Sequence, residues 1–326
     1  MKTKITLLIV FSIFCSGFSF SQDKELKNFP LQLSFVYPAS TQGTKTVEYC
    51  YNFSLNALAG YTGAIKGCEL GGLVNLNKAG MSGFQAGGIG NITGGNVNGM
   101  QAGGIFSIAD TVNGIQISGI TNVSGGAMNG IQIGGIMNRA GELNGLQLGL
   151  LNISDTTARG VSIGLINYIR KGYYQELSVS AADYLNIGIS YKAGLKRFYN
   201  IYTLGMNFMD ETLWVAGLGF GHISEINKKY SFQPEIVCYG YFPLDFYKTR
   251  DTYVTHIKLG IVREISPMFA ITFAPSIYGA LKSDRGEYDE YGYKVSPIKP
   301  FYSFTGKDSN SKFELGIGFS LALNIR

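Results

Sequence analysis

The sequence predicts an all-β chain in two parts, a glycine-rich β-repeat followed by an antiparallel β-barrel of the outer-membrane type with about eight strands. Three observations carry this: a unit recurring every 15 or 16 residues from Gly67 to about Asn167, two-residue apolar alternation through the C-terminal half, and a change of composition near residue 172. A fixed period this short means stacked or meandering β units.

The chain opens with a segment that lies outside the fold argument. Lys2 and Lys4 precede an apolar run from Ile5 to Phe14, and Ser19 and Ser21 supply small residues ahead of Gln22. This is the pattern of a secretory signal over residues 1–21, which would leave residues 22–172 as the repeat and 173–326 as the barrel. Cys15 follows the bulky Phe14, where lipoprotein processing needs a small residue, so a free N-terminus is expected.

The repeat units begin at Gly67, Gly83, Gly99, Gly114, Gly130, Gly145 and Gly160. Gln85, Gln101, Gln116, Gln132 and Gln147 hold one column, and Asn75, Asn91, Asn122, Asn138, Asn152 and Asn167 another. Two geometries fit. In an antiparallel meander the Asn-Gly pairs at 98–99, 113–114, 129–130 and 144–145 would lie near hairpin turns, and the barrel would grow to about sixteen strands. In a narrow β-solenoid each unit is one coil, and parallel stacking lets Gln and Asn hydrogen-bond along the columns. Three features favour the solenoid: a single consensus rather than two alternating ones, a Gly-Gly step that breaks strand alternation, and few aromatic residues. Ile115, Ile117, Ile120, Val123 and Met128 would fill its thin interior.

The C-terminal half carries the cleanest strand signal. Phe313, Leu315, Ile317, Phe319, Leu321, Leu323 and Ile325 alternate with Glu314, Gly316, Gly318, Ser320, Ala322 and Asn324. The pattern recurs in Leu185, Ile187, Ile189 and Tyr191, and in Trp214, Ala216, Leu218 and Phe220. Eight strands are expected, at about 174–182, 184–193, 198–208, 212–223, 229–243, 251–264, 267–281 and 312–326, with 282–311 the longest loop and an external contact surface. An apolar outer face at this length suits a membrane-spanning barrel, with the lipid bilayer of the outer membrane as its partner.

The repeat units, with Pro30-Leu31-Gln32-Leu33-Ser34 upstream, resemble a bacterial family of surface-repeat proteins built on Gly-x-Gln-x-Gly-Leu-x-Asn units, over residues 30–170. The chain departs at Gly-Gly where the family has Gly-Leu, which Gly149-Leu150 and Gly164-Leu165 restore. The resemblance implies an envelope location and no particular reaction. The C-terminal half is similar in pattern to the small eight-stranded outer-membrane barrels.

Signals for chemistry are sparse. The formal net charge of +5 is too diffuse to indicate nucleic acid. Gly87-Gly88-Ile89-Gly90 precedes no helix that could hold a phosphate, and His222 and His256 are too few for a histidine metal centre, so neither cofactor nor metal is expected. Cys50, Cys68 and Cys238 read as small strand residues, with a Cys50–Cys68 pair as the alternative. His222 and Ser224 share a strand face, with Glu225 and Glu235 close in sequence, which is the material of acyl hydrolysis. That spacing resembles the His-x-Ser of outer-membrane lipid A deacylases over three residues only. The functional expectation is a non-enzymatic surface protein with a structural, adhesive or binding role toward an extracellular or envelope partner that the sequence does not identify. The alternatives are a transport pore, if the barrel is the larger one, and remotely a lipid hydrolase.

Overall fold

The computed structural model describes residues 26–209, 211–243, 251–283, 292–306 and 311–326. The proposed signal, the 244–250 loop and parts of the 282–311 loop lie outside the described residues. The chain divides into two compact units, Met1–Lys171 and Gly172–Arg326.

The first unit is a parallel stack, so the repeat is a β-solenoid and the sixteen-strand meander does not hold. Each coil contributes a short strand to each of two sheets. In one sheet Asn75 lies against Asn91, and Asn138 against Asn122 and Asn152. In the other, Gln85, Gln101, Gln116, Gln132 and Gln147 lie side by side in successive coils. Every coil therefore sees the same surroundings, and one consensus is enough to specify all of them.

The glycine that opens each unit is fixed by geometry. Gly99 and Gly114 have φ of 137° and 143°, a region L side chains avoid. A Cβ on Gly99 would also sit 2.0 Å from the Gly83 carbonyl oxygen, and one on Gly114 equally close to that of Gly99. The preceding asparagines are not at hairpin turns. They stack on the outside, with Asn113 Nδ2 donating to Asn98 Oδ1 (2.8 Å) and Asn129 Nδ2 to Asn113 Oδ1 (2.7 Å).

The interior differs from the sequence expectation. Of the five apolar residues assigned to it, only Met128 is fully buried; Ile115, Ile117 and Val123 are half-buried on the outer face, and Ile120 is 42% exposed. Alternation is the reason: in Gly-x-Gln-x the glutamine points inward, so its neighbours must point out. One apolar column, from Ile65 through Met81, Val97, Val112 and Met128 to Leu143, is buried beside the amides. The N-terminal end is covered by the parallel strand Lys27–Val36, the short strand Ala39–Ser40 on its edge, and a turn over Gly43–Glu48.

The second unit is the predicted barrel. Among the described residues, eight antiparallel strands run in chain order: Tyr174–Ala182, Ile187–Leu195, Phe198–Asn207, Leu213–Gly221, Tyr230–Pro243, Asp251–Glu264, Phe269–Ser283 and Ser311–Ile325. The first pairs with the last, Leu177 against Ile325 through Ala182 against Ser320, which closes the sheet. Leu321 is 55% exposed and its neighbour Ser320 only 8%, as the alternation requires. Leu185 is the exception: it is 2% exposed, because residues 183–186 form a turn that folds inward and the second strand starts later, at Ile187.

Tyrosine and glycine share the lumen. A Cβ on Gly316 would lie 2.3 Å from the ring of Tyr278, and one on Gly221 2.4 Å from that of Tyr199. Tyr184, Tyr199, Tyr239 and Tyr241 are fully buried, so side chains fill this barrel, as its strand number predicts. The expected external loop is partly internal. Tyr293 and Val295 join the buried cluster, and the short strand Tyr302–Thr305 pairs with the part of the last strand that the first does not reach.

Candidate functional site

The His-x-Ser pair does come together. His222 follows directly on the strand Leu213–Gly221, and its backbone N–H donates to the Pro234 carbonyl (3.0 Å). Its Nδ1 lies 2.8 Å from the Arg197 carbonyl oxygen, which requires the proton on Nδ1 and leaves Nε2 to accept from Ser224 Oγ at 2.7 Å. Among the described residues, no carboxylate bonds this imidazole. Glu225 is taken by Lys196 (2.7 Å), which holds its carboxyl below the ordinary range. Glu235 points into the lumen, where it meets Lys192 (2.7 Å) and accepts from Tyr199 OH (3.0 Å). The pair is a dyad on an open turn rather than a Ser-His-carboxylate triad.

Inside the barrel, charge is paired across strands. Lys192 bridges Glu176 (3.2 Å) and Glu235, and Arg326 bonds Glu176 (2.6 Å) and Glu264. Further along, Lys282 and Lys312 share Glu314 at 2.7 and 2.9 Å. His256 is fully buried in the lumen, its ring 3.8 Å from that of Tyr184 and its Nδ1 3.1 Å from Ser276 Oγ. Asp183 accepts from Ser296 Oγ and the Phe319 N–H, both at 2.7 Å, tying the 292–296 segment into the mouth. Buried ions survive only when paired in this way. The sequence signal was present but unused, since Glu176, Lys192 and Glu235 all fall on the polar phase of their strands.

The solenoid interior is a second polar network. Gln147 Nε2 donates to Gln132 Oε1, Gln132 to Gln116, Gln116 to Gln101 and Gln101 to Gln85, at 2.8 to 3.0 Å. The column ends on Glu69, which is 0% exposed. Its carboxylate accepts from Ser54, Asn56, Asn77 and Gln85 at 3.2, 3.0, 2.8 and 2.7 Å. Burial pushes this carboxyl above its ordinary range, and the four donors act against that. The asparagine column donates the other way, Asn56 to Asn75, Asn75 to Asn91, and Asn122 to Asn138 to Asn152 to Asn167.

The solenoid exterior is sorted by corner. One corner carries an unbroken aliphatic column, Leu58, Leu73, Ile89, Ile105, Ile120 and Ile136, linked by N–H to carbonyl bonds from coil to coil, with exposed Leu150 and Leu165 continuing it. The opposite corner presents Lys78, Asn96, Asp110, Glu142 and Arg159 to solvent. Beside the aliphatic column lies an apolar groove of about 1160 Å³, with Gly72, Gly88, Gly104 and Gly119 among its lining and Leu33, Phe35, Leu55 and Ile117 as side-chain walls.

The three free thiols, Cys50, Cys68 and Cys238, form no disulfide. Among the described residues, no group of three His, Cys, Asp or Glu side chains is placed to hold a metal ion. Comparison with family models, curated proteins and solved structures returns no match to this chain.

Proposed function

We propose that this chain is an exported, non-enzymatic outer-membrane protein in which the barrel is the anchor and the solenoid a rigid structural or binding module. The observation that carries the reading is the polarity of the barrel: aliphatic and aromatic side chains outward on strand after strand, paired charges and packed tyrosines inward. A water-soluble protein gains nothing from that arrangement, whereas a bilayer demands it. The filled lumen argues against a pore. In this reading the C-terminus is periplasmic, and the 292–306 segment lies at the outer mouth.

Fractionation tests the location. The protein is expected in outer membranes, resistant to carbonate extraction, and faster on a denaturing gel unheated than boiled; recovery as a soluble species would sink the assignment. The Arg197 carbonyl at His222 Nδ1, where a triad would hold a carboxylate, supports the non-enzymatic part. A fluorophosphonate probe should leave Ser224 unlabelled, and labelling that is abolished by His222→Ala would revive the hydrolase reading.

A further inference from the structure

The eight barrel strands are unequal, and the inequality leaves a notch in the wall. The first two have nine residues each, whereas the fifth and sixth have fourteen and the last two fifteen. The first strand pairs with the last no further than Ala182 with Ser320, so residues 311–319 run on with one edge that it does not claim. Their other edge is held by the seventh strand throughout, from Phe269 with Ile325 to Ser283 with Ser311. The floor of the notch is the turn at 183–186, where Asp183 bonds the Phe319 N–H (2.7 Å).

Residues 292–306 thread this notch from inside to outside. Tyr293 and Val295 lie in the buried cluster with Lys294 exposed between them, the alternation of an extended chain. Side chains from three separate parts of the wall meet the polar groups of this stretch. Thr252 Oγ1 accepts from the Tyr293 N–H (3.0 Å), Asn207 Nδ2 donates to the Val295 carbonyl (2.8 Å), and Asp183 Oδ2 accepts from Ser296 Oγ (2.7 Å). The chain then emerges. Phe301, Tyr302 and Phe304 are more than half exposed, and Tyr302–Thr305 adds a short antiparallel strand to the unclaimed edge, Tyr302 opposite Leu315 and Phe304 opposite Phe313. Side chains that seek main-chain groups, pockets for alternate residues and a strand added to a free sheet edge are together the way proteins hold an extended peptide. The hold is slight: among the described residues, the segment buries two apolar side chains and its four-residue strand is paired on one edge, whereas the wall strands are paired on both. Segments held so lightly open while the rest of a domain stays folded.

We infer that the notch is a docking slot for an extended peptide, and that residues 292–306 are its displaceable occupant, given up to a competing segment of the same chemistry. Such a segment offers an N–H to Thr252, a carbonyl to Asn207 and a hydroxyl to Asp183, and lays a strand along residues 312–315. The inference stands on the closed sheet and its notch. It goes beyond the anchoring role and does not depend on what covers the outside of the barrel.

The test uses the full chain folded in detergent micelles and, as probe, a fluorescent synthetic peptide of residues 292–306. In the wild type the tethered segment competes from a high effective concentration and keeps the probe weakly bound. Ser296→Ala gives up the bond to Asp183, so this variant should take the probe about tenfold more tightly. Its amide exchange over 292–306 should quicken while that of Asp251–Glu264 stays the same, which also shows that the wall remains folded. Adding Asn207→Ala should weaken the probe again. With the native cysteines replaced, a disulfide between Thr305→Cys and Lys312→Cys, directly opposed in the ladder, should exclude the probe until it is reduced. A scrambled peptide that binds equally well, or binding that neither Asn207→Ala nor the disulfide alters, would mean adhesion to the surface and would overturn the proposal. Exchange of 292–306 no faster than that of the wall strands, with the probe bound by no variant, would make the segment a fixed part of the wall and overturn it too. Recovery of the protein from cells as a soluble species would remove the anchor reading and leave this one standing.

Discussion

Gln101→Leu tests whether the buried amide column holds the coils together. Gln101 Nε2 donates to Gln85 Oε1 (2.8 Å) and Thr93 Oγ1 (3.0 Å), and its Oε1 accepts from Gln116 Nε2 (3.0 Å). Leucine removes all three bonds. Gln116 Nε2 keeps only a long contact of 3.4 Å to the Val123 carbonyl, and Gln85 Oε1 one of 3.4 Å from Thr93. Two orphaned groups at about 1–3 kcal/mol each, less about 2 kcal/mol for burying the leucine methyls, leave a net loss centred near 2 kcal/mol. Because a coil touches only its neighbours, the loss should be local. Native-state amide exchange read by mass spectrometry should show peptides covering Val97–Gly103 and Val112–Ser118 opening about 30-fold faster, with Leu146–Leu148 unchanged. Adding Gln116→Leu removes one of the orphans, so the double variant should lose less than the sum of the singles. Strict additivity, or no acceleration in the single variant, would refute the view that the column works as a connected chain.

Deleting one whole unit, Gly114 to Asn129, should give a folded protein one coil shorter, because Asn113 then precedes Gly130 and Gln132 falls beside Gln101; loss of heat-modifiable migration would contradict this. Leu321→Arg, on the exposed face of the last barrel strand, should cost roughly 2–4 kcal/mol in a folding titration from urea into bilayers if it lies near midplane, and a neutral result would argue that this face does not meet lipid. Glu69 supplies a pH test. A carboxyl held above its ordinary value in the folded chain contributes stability that is present below the unfolded value, about 4.3, and is lost as pH rises through the folded one. Against Glu69→Gln, which has no such titration, the wild-type solenoid should therefore lose ground as pH rises above about 4.3 in amide exchange; a gain would show that the four donors outweigh burial.

The barrel was largely legible because outward-facing apolar and lumen-facing residues alternate with period two. Strand positions agree with the sequence to within about three residues, and the exception at Leu185 came from a turn that folds inward, which no alternation can announce. The solenoid was legible from its period, its single consensus and its Gly-Gly steps. Its interior was not, because hydrophobicity suggested that Ile115 and Ile117 were core, when the local strand pattern around Gln116 already places them outside. The habit of putting isoleucine inside misled; a stack lets buried amides such as Gln101, Gln116 and Gln132 bond the coils on either side, and so makes the reverse stable. His222 and Ser224 were found by spacing. What spacing could not tell is that Glu235, thirteen positions from His222, belongs to Lys192 and Tyr199 instead.

Glu69 also decides something about residues it never touches. A carboxylate has no hydrogen to give, so Gln85 must turn its NH₂ toward it and offer its oxygen to the next coil. The same necessity passes to Gln101, Gln116, Gln132 and Gln147 in turn. A stack made only of amides would have two mirror orientations of equal standing, every side chain flipped or none; one acid at the end removes the second and leaves a single ground state. Orientation is thus chosen once and inherited down the filament. The asparagine row donates in the opposite sense, from Asn56 to Asn91 and, beyond the interruption at Ser107, from Asn122 to Asn167, so the amide dipoles of the two rows oppose each other along the stack.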